Sequence, residues 1–334
     1  METLKIGVIG VGHLGRLHTS IYTQIPQANL IGIFDVDKER CQQVAQEFNT
    51  TCYSDFNQLL ELVDAVSVVV PTTFHHQVAK TILEKNIHCL IEKPITSTIE
   101  EADELIKLAN SKELIIQTGH IERFNPAILA LTNIDFNPMF IESHRLAPFD
   151  PRGTDVAVVL DLMIHDIDII LSLVNSDVKL IDASGVAVVT DEVDIANARI
   201  QFENGAVANV TASRISQKKM RKMRLFQRNT YISIDFLQKF SEIFRLVDSD
   251  SAESDKLGIP IQMGEFKKDK KIIYEKPIIE ETNALKIELT SFIDAIQHNK
   301  RPIVRGEDGR EALNVATRIT QLIEDQLHSL GFEA

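Results

Sequence analysis

Several features are scarce in this chain of 334 residues, and each scarcity removes a class of explanation. The three cysteines, Cys41, Cys52 and Cys89, are odd in number, scattered and without C-x-x-C spacing, so neither a disulfide framework nor a zinc knuckle is expected. A reducing, cytoplasmic setting fits that usage. No apolar run reaches membrane-spanning length, and nothing resembling a signal peptide precedes the first apolar run, which begins within a few residues of Met1. Positive charge is in deficit: 35 Lys and Arg against 48 Asp and Glu leave a net charge of -13, with a pI near 5.3. That balance argues against nucleic acid or an anionic membrane as partner. Repeats and low-complexity segments are absent, and mobility is expected chiefly in the polar stretch 248–256. What remains, 44% hydrophobic and 25% charged, is an ordinary globular composition with enough length for two domains.

The most informative stretch comes first. The apolar run at 4–9 leads into Gly10-Val11-Gly12-His13-Leu14-Gly15, an amphipathic helix follows, and a second apolar run ends at Asp35, twenty residues past Gly15. Strand, tight turn and helix in this order form a dinucleotide site. Gly10 permits the turn, Gly12 lets the backbone approach a pyrophosphate, and Gly15 lets helix pack on strand; His13 and Leu14 lie at the helix N-terminus that the phosphates would face. Asp35 would accept from a ribose diol and repel a 2′-phosphate, which favours NAD over NADP, although Lys38 and Arg40 lie close by.

Strands and helices then alternate to about residue 118, the pattern of a doubly wound parallel sheet. Ligands bind beyond the carboxyl ends of such strands, which directs attention to Pro71, Thr72 and His75 and to Glu92-Lys93-Pro94. The alternation stops near Gly119-His120-Ile121-Glu122-Arg123-Phe124-Asn125-Pro126. We place a dinucleotide-binding domain over 1–122 and an α+β domain over 123–334, with the closing helices able to pack back on the first. Strands are expected near 139–145, 180–189, 195–202, 207–214, 223–227 and 231–235, with a hairpin at Asn204-Gly205; they imply a large, mostly antiparallel sheet.

A helix over 154–174 is apolar almost all round and so is expected to be buried. Asp161, His165 and Asp168 recur on it at i, i+4 and i+7 and share a face, while Asp166 points away. Three readings stand: an internal Asp–His hydrogen bond that fastens the helix, a metal site lacking the second histidine or cysteine of a typical zinc centre, and a proton-transfer site using an imidazole that titrates near neutrality. No metal is expected. Arg145 and Arg152 flank the loop entering this helix and are candidates for binding a substrate diphosphate. Residues 214–228 hold seven basic residues and no acid, which can equally be a solvated hairpin face.

Taken together, the glycine turn, Pro71 with His75, Glu92-Lys93-Pro94, Arg123-Phe124-Asn125-Pro126, Asp161-x-x-x-His165-x-x-Asp168 and the segment around Glu307-Asp308-Gly309 resemble the Gfo/Idh/MocA oxidoreductases. The resemblance covers nearly the whole chain. It implies a Rossmann domain followed by an α/β domain with an open sheet often used for oligomer contacts, here a homodimer or homotetramer, and a site between the domains. It also implies that Glu92 and Lys93 lie at the cofactor, that Lys93 touches nicotinamide ribose and substrate across a Lys93–Pro94 bond able to be cis, that His165 is the acid–base residue with Asp161 beside it, and that Arg123 and Asn125 line the substrate site. Met163 stands where many members have glycine; with the 119–126 segment and the basic hairpin, this version is similar to the UDP-N-acetylglucosamine 3-dehydrogenase branch. The expected reaction is oxidation of a secondary sugar alcohol. A free-sugar or inositol dehydrogenase and a non-catalytic cofactor-binding regulator remain open.

Overall fold

Short runs of β-branched and apolar residues, each followed by an amphipathic helix, build the first sheet. In the computed structural model, which describes residues 3–150, 156–249, 259–261, 270–280 and 282–331, β1 (Leu4–Ile9), β2 (Ala28–Phe34), β3 (Ala65–Val68), β4 (His88–Glu92) and β5 (Ile116–Gly119) lie in the order β2-β1-β3-β4-β5. Every pair is parallel. The order reverses between β1 and β3, the switch point at which such sheets bind ligands. The connections are α1 (His13–Tyr22), α2 (Lys38–Glu47), α3 (Phe56–Leu60), α4 (His75–Glu84) and α5 (Ile99–Ser111).

The chain forms two units, Met1–Phe124 with Thr282–Asn314, and Asn125–Glu281 with Val315–Ala334. The return of residues near 285 to the first unit has a packing cause. Leu285, Leu289, Phe292 and Ile293 of the helix Ala284–Gln297 are buried in one cluster with Ile21, Tyr22 and Ile6, and so cover α1 and the first strand.

In the second unit nine strands run in the order β13-β14-β12-β11-β10-β6-β9-β8-β7. They are β6 (Phe140–Leu146), β7 (Val178–Val186), β8 (Ile195–Phe202), β9 (Val207–Ser213), β10 (Met220–Gln227), β11 (Thr230–Asp235), β12 (Phe240–Asp248), β13 (Ile259–Ile261) and β14 (Lys270–Glu275). All neighbours are antiparallel except β6 and β9. The last three strands are additions to those expected, and Gly205, with φ +87°, makes the anticipated β8–β9 turn. Alternation sets the two faces apart. Ile141, Ser143 and Arg145 of β6 are buried, whereas Phe140 opens a row of half-buried rings on the other face: Phe140, Phe226, Tyr231, Phe244 and Tyr274, with successive centroids 5.0 to 5.8 Å apart. Residues 250–256 of the stretch expected to be mobile lie outside the described residues.

Two expectations are corrected. Cys41 and Cys52 form a disulfide across 5.7 Å between their Cα atoms, a normal span for a bridge. Cys41 lies on the buried side of α2 and Cys52 makes a single bridge to Ile33 at the edge of the sheet, so the fold brings together residues whose spacing carries no disulfide signature. Cys89 is free and buried, and burial pushes its thiol pKa far up. The expected single helix ending at Val174 is instead a π turn over Val159–Met163 followed by an α-helix over Ile164–Val174, here α6. Among the described residues no helix is long and apolar enough to cross a membrane.

Candidate functional site

At the switch point the glycine turn is shaped by what surrounds it. Gly10 has φ +84°, and a Cβ there would meet the Val69 carbonyl at 2.4 Å; one on Gly15 would meet the Gly10 carbonyl at 1.8 Å. A Cβ on Gly12 would meet nothing within 4 Å. The first and third glycines are therefore required by the protein's own packing, and the second is bare on a side open to a ligand. Gly12 also starts α1 without any side-chain cap, and no acidic residue occupies the first turn. His13 and Leu14 are exposed there. Uncapped N–H groups and an open backbone are what a pyrophosphate requires, so these residues fit a dinucleotide.

Asp35, at the end of β2, is 7% exposed and fully engaged. It accepts from the Val11 N–H at 2.7 Å, the Asp37 N–H at 2.8 Å and the Arg40 guanidinium at 2.8 and 3.3 Å. Burial pushes its pKa up, but the Arg40 bond and the two backbone N–H groups outweigh it and hold the carboxyl below its ordinary value. The side chain expected to meet a ribose thus also clamps the glycine turn.

Around the ends of β3 and β4 the loops are stitched together. Pro71 is exposed and Thr72 half-buried at the start of a short 3₁₀ turn, Thr72–Phe74. His75, expected as a cofactor contact, is instead 1% exposed, with Nδ1 2.9 Å from the Pro94 carbonyl and Nε2 2.8 Å from the Val70 carbonyl. Burial lowers its pKa, and a neutral ring has one N–H, so it donates to one of these carbonyls and packs against the other. The Lys93–Pro94 bond is cis. Glu92 meets His18 of α1 at 2.9 Å, and Lys93 beside it is half-buried. His18 was not among the expected site residues, although a histidine on the buried face of the phosphate-binding helix was the available signal.

In the second unit, Asp161 sits half-buried inside the π turn and His165 half-buried in the first turn of α6, while Asp168 is 1% exposed. The wider π turn takes Asp161 out of α-helical register with His165 and Asp168, which stay three residues apart on α6, and Asp168 is buried where the other two are part-open. Asp166, on the sheet side, takes the Arg145 guanidinium at 2.6 and 3.2 Å, with side-chain exposures of 1% and 2%. This corrects the reading of Arg145 as an open diphosphate cation: its fork is consumed inside the unit. Asn125 is likewise buried, capping the helix Pro126–Leu129 through the Ala127 N–H at 3.1 Å and donating to the Phe236 carbonyl at 3.2 Å. Arg123 remains half-buried, with Asp308 near enough for its charge to lower that carboxyl. Arg152 lies outside the described residues. Within the basic segment, Arg214 is buried beside Asp194, and Lys222 and Arg224 pair with Asp235 and Glu142. Among the described residues no cluster of three His, Cys, Asp or Glu could hold a metal ion.

Comparison with known proteins agrees with this geometry. Residues 4–120 match the oxidoreductase family model with an NAD-binding Rossmann fold, and 140–232 match the GFO/IDH/MocA C-terminal domain. The chain is 39% identical to a UDP-N-acetylglucosamine 3-dehydrogenase of Acidithiobacillus ferrooxidans, covering 97% of this chain and 98% of that one. A solved structure of the enzyme of that name from the same organism superposes with a TM-score of 0.87 at 37% identity, over 97% of this chain and 99% of that one. A myo-inositol 2-dehydrogenase of Thermotoga maritima is 24% identical over 97% of both chains. With family models matched in both units and a relative aligned along nearly its whole length, the chain belongs to the Gfo/Idh/MocA oxidoreductase family.

Proposed function

We propose that this oxidoreductase uses NAD to oxidise the 3-hydroxyl of a UDP-N-acetylhexosamine, UDP-N-acetylglucosamine first among them. The observation that carries the reading is the 39% identity, spread over 97% of the chain, to an enzyme of that name. Gly10, Gly12 and Gly15 with the start of α1 would hold the pyrophosphate, and Asp35 the adenosine ribose, which favours NAD. When bound, the nicotinamide supplies a hydride acceptor at C4. His165 takes the proton of the reacting hydroxyl, with Asp161 orienting the sugar. Lys93, as an ammonium, stabilises the charge that grows on the oxygen. Arg152 and Arg123 are the remaining cations for a diphosphate.

Positioned proton transfer contributes about 10²- to 10⁴-fold in rate. Lys93→Ala and His165→Ala should each lose turnover on that scale while binding NAD nearly as wild type does. The decisive experiment incubates the protein with NAD or NADP and a panel of UDP-sugars, free hexoses and inositols, following absorbance of the reduced cofactor and product mass. Turnover of inositols or free hexoses with none of UDP-N-acetylglucosamine would overturn the substrate; no turnover of any panel member would favour a regulator. The row of half-buried rings on the open sheet face supports a homo-oligomer assembled through that face, and Phe244→Glu should lower the mass measured by light scattering.

A further inference from the structure

The His18–Glu92 contact is built with more care than a helix fastening needs. His18 is 1% exposed, and its Nε2 lies 2.9 Å from Glu92 Oε1. Its Nδ1 is buried with no hydrogen-bond partner among the described residues. A proton on Nδ1 would be a buried donor without an acceptor, which costs free energy. Nε2 therefore bears a proton and donates it to the carboxylate. What the imidazole N–H stabilises is the negative charge on Glu92.

The other described groups around Glu92 differ in what they offer that charge. Tyr22 of α1 is a neutral phenol, pushed far up by burial and bonded to Ser67 at 2.7 Å. His75 of α4 is neutral, lowered by burial. From β5 comes Gly119, where a Cβ would meet Glu92 Cδ at 2.9 Å, so the carboxylate is closed in on that side. Lys93 supplies a positive charge and its backbone N–H. Burial pushes the Glu92 carboxyl up, yet the hydrogen bond and charge of His18 together with the charge and N–H of Lys93 outweigh it and leave the group below its ordinary value.

We propose that His18 is a positioning residue for Lys93: by donating from Nε2 it keeps Glu92 ionised and turned toward α1, so that the lysine of the proposed reaction always has its counter-charge. The role rests on the dehydrogenase reading for its consequence and on the cofactor-free chain for its test. Losing the donor makes the part-buried Glu92 easier to protonate, and Lys93 then loses that counter-charge over a wider range of pH.

The test is a carboxyl ¹³C NMR titration of the full chain, with the Glu92 signal assigned by its loss in Glu92→Gln. In wild type the midpoint should fall below the ordinary glutamate value; in His18→Leu it should rise by more than about one pH unit. His18→Gln, which places an amide N–H near the position of Nε2, should return most of the shift. An unmoved midpoint in His18→Leu would overturn the proposal. So would an equal rise in both variants, because ring packing and not the donor would then be responsible. If His18→Leu does not fold, His18→Gln alone decides: a midpoint raised as far as about one unit overturns the idea, and one near wild type supports it. Wherever wild type turns over a panel substrate, His18→Leu should move the acid limb of kcat upward, with the KM for NAD within about threefold. Failure of wild type on the whole panel would sink the substrate reading and leave the titration free to decide this one.

Discussion

Each unit carries an aspartate held by an arginine, and the two pairs differ in what the arginine is free to do. Arg40 grips Asp35 with 45% of its side chain exposed, whereas Arg145 and Asp166 are 2% and 1% exposed. The sequence presents both arginines alike, as cations near a site. Exposure divides them: a guanidinium in solvent can exchange one anion for another, and one sealed inside a unit is held to its partner by the cost of leaving a bare buried charge. In the proposed function the first pair meets the cofactor ribose, and the second is the footing of α6.

The sharpest way to break that division is to remove one member of the buried pair. Arg145→Met or Asp166→Asn should each destabilise the second unit by about 3–5 kcal/mol, seen as a fall in the denaturant midpoint. The double variant Arg145→Met with Asp166→Leu should recover much of the loss, since two apolar side chains leave no uncompensated charge. Equal losses in single and double variants would mean that shape rather than charge matters there.

A third aspartate extends the comparison to backbone partners. Asp194 is wholly buried and accepts from the N–H groups of Val188, Val189 and Thr190 at 2.8, 2.6 and 3.0 Å, and from the Thr190 hydroxyl at 2.8 Å. Burial raises its pKa, and the backbone donors outweigh that, so the folded value lies below the ordinary one. A carboxyl depressed in the folded state gives stability that is complete above its unfolded pKa, about 3.9, and is lost as pH falls through the folded value. Asp194→Asn should cost about 1–3 kcal/mol near neutrality, and the gap from wild type should close as pH drops below about 4. A gap that stays constant with pH would show that the loop is held by shape alone.

The same contrast explains what could be read from the chain before folding. Near-continuous apolar runs and the glycine spacing make the parallel sheet and the turn legible, because both are local and periodic. Strand β12 is harder: Phe240-Ser241-Glu242-Ile243-Phe244-Arg245 mixes charge into a face left half-open by the sheet, so its alternation is blurred. The π turn leaves no periodic trace, since the α period resumes from Ile164 and one widened turn before it is invisible to spacing. Loop position and family motif single out Arg145, Asn125 and His75, yet their roles depend on burial and on partners 21, 111 and 19 residues away. The Cys41–Cys52 bridge is illegible for the same reason: its Cα distance is set by α2 and the Ile33–Cys52 bridge, not by the eleven-residue interval.

The exposed pair offers the smallest but most specific effect. The Asp35 carboxylate has about four acceptor positions, and Val11, Asp37 and two Arg40 nitrogens occupy them. A ribose diol can bond to it only by displacing Arg40, which its exposure allows; a 2′-phosphate would leave the carboxylate and take Arg40 instead. Arg40→Ala should therefore change stability by no more than about 1 kcal/mol, as for exposed ion pairs generally. Its KM for NAD should stay level or fall slightly, because Asp35 no longer has to exchange partners, and its KM for NADP should rise, because the one cation beside that carboxylate is gone. Asp35→Asn should act in the opposite sense on NAD, and by more, since it also loosens the Val11 N–H clamp on the glycine turn. If Arg40→Ala weakened both cofactors equally, Arg40 would be holding a group the two share, and its exposure would mark a pyrophosphate contact rather than a choice between riboses.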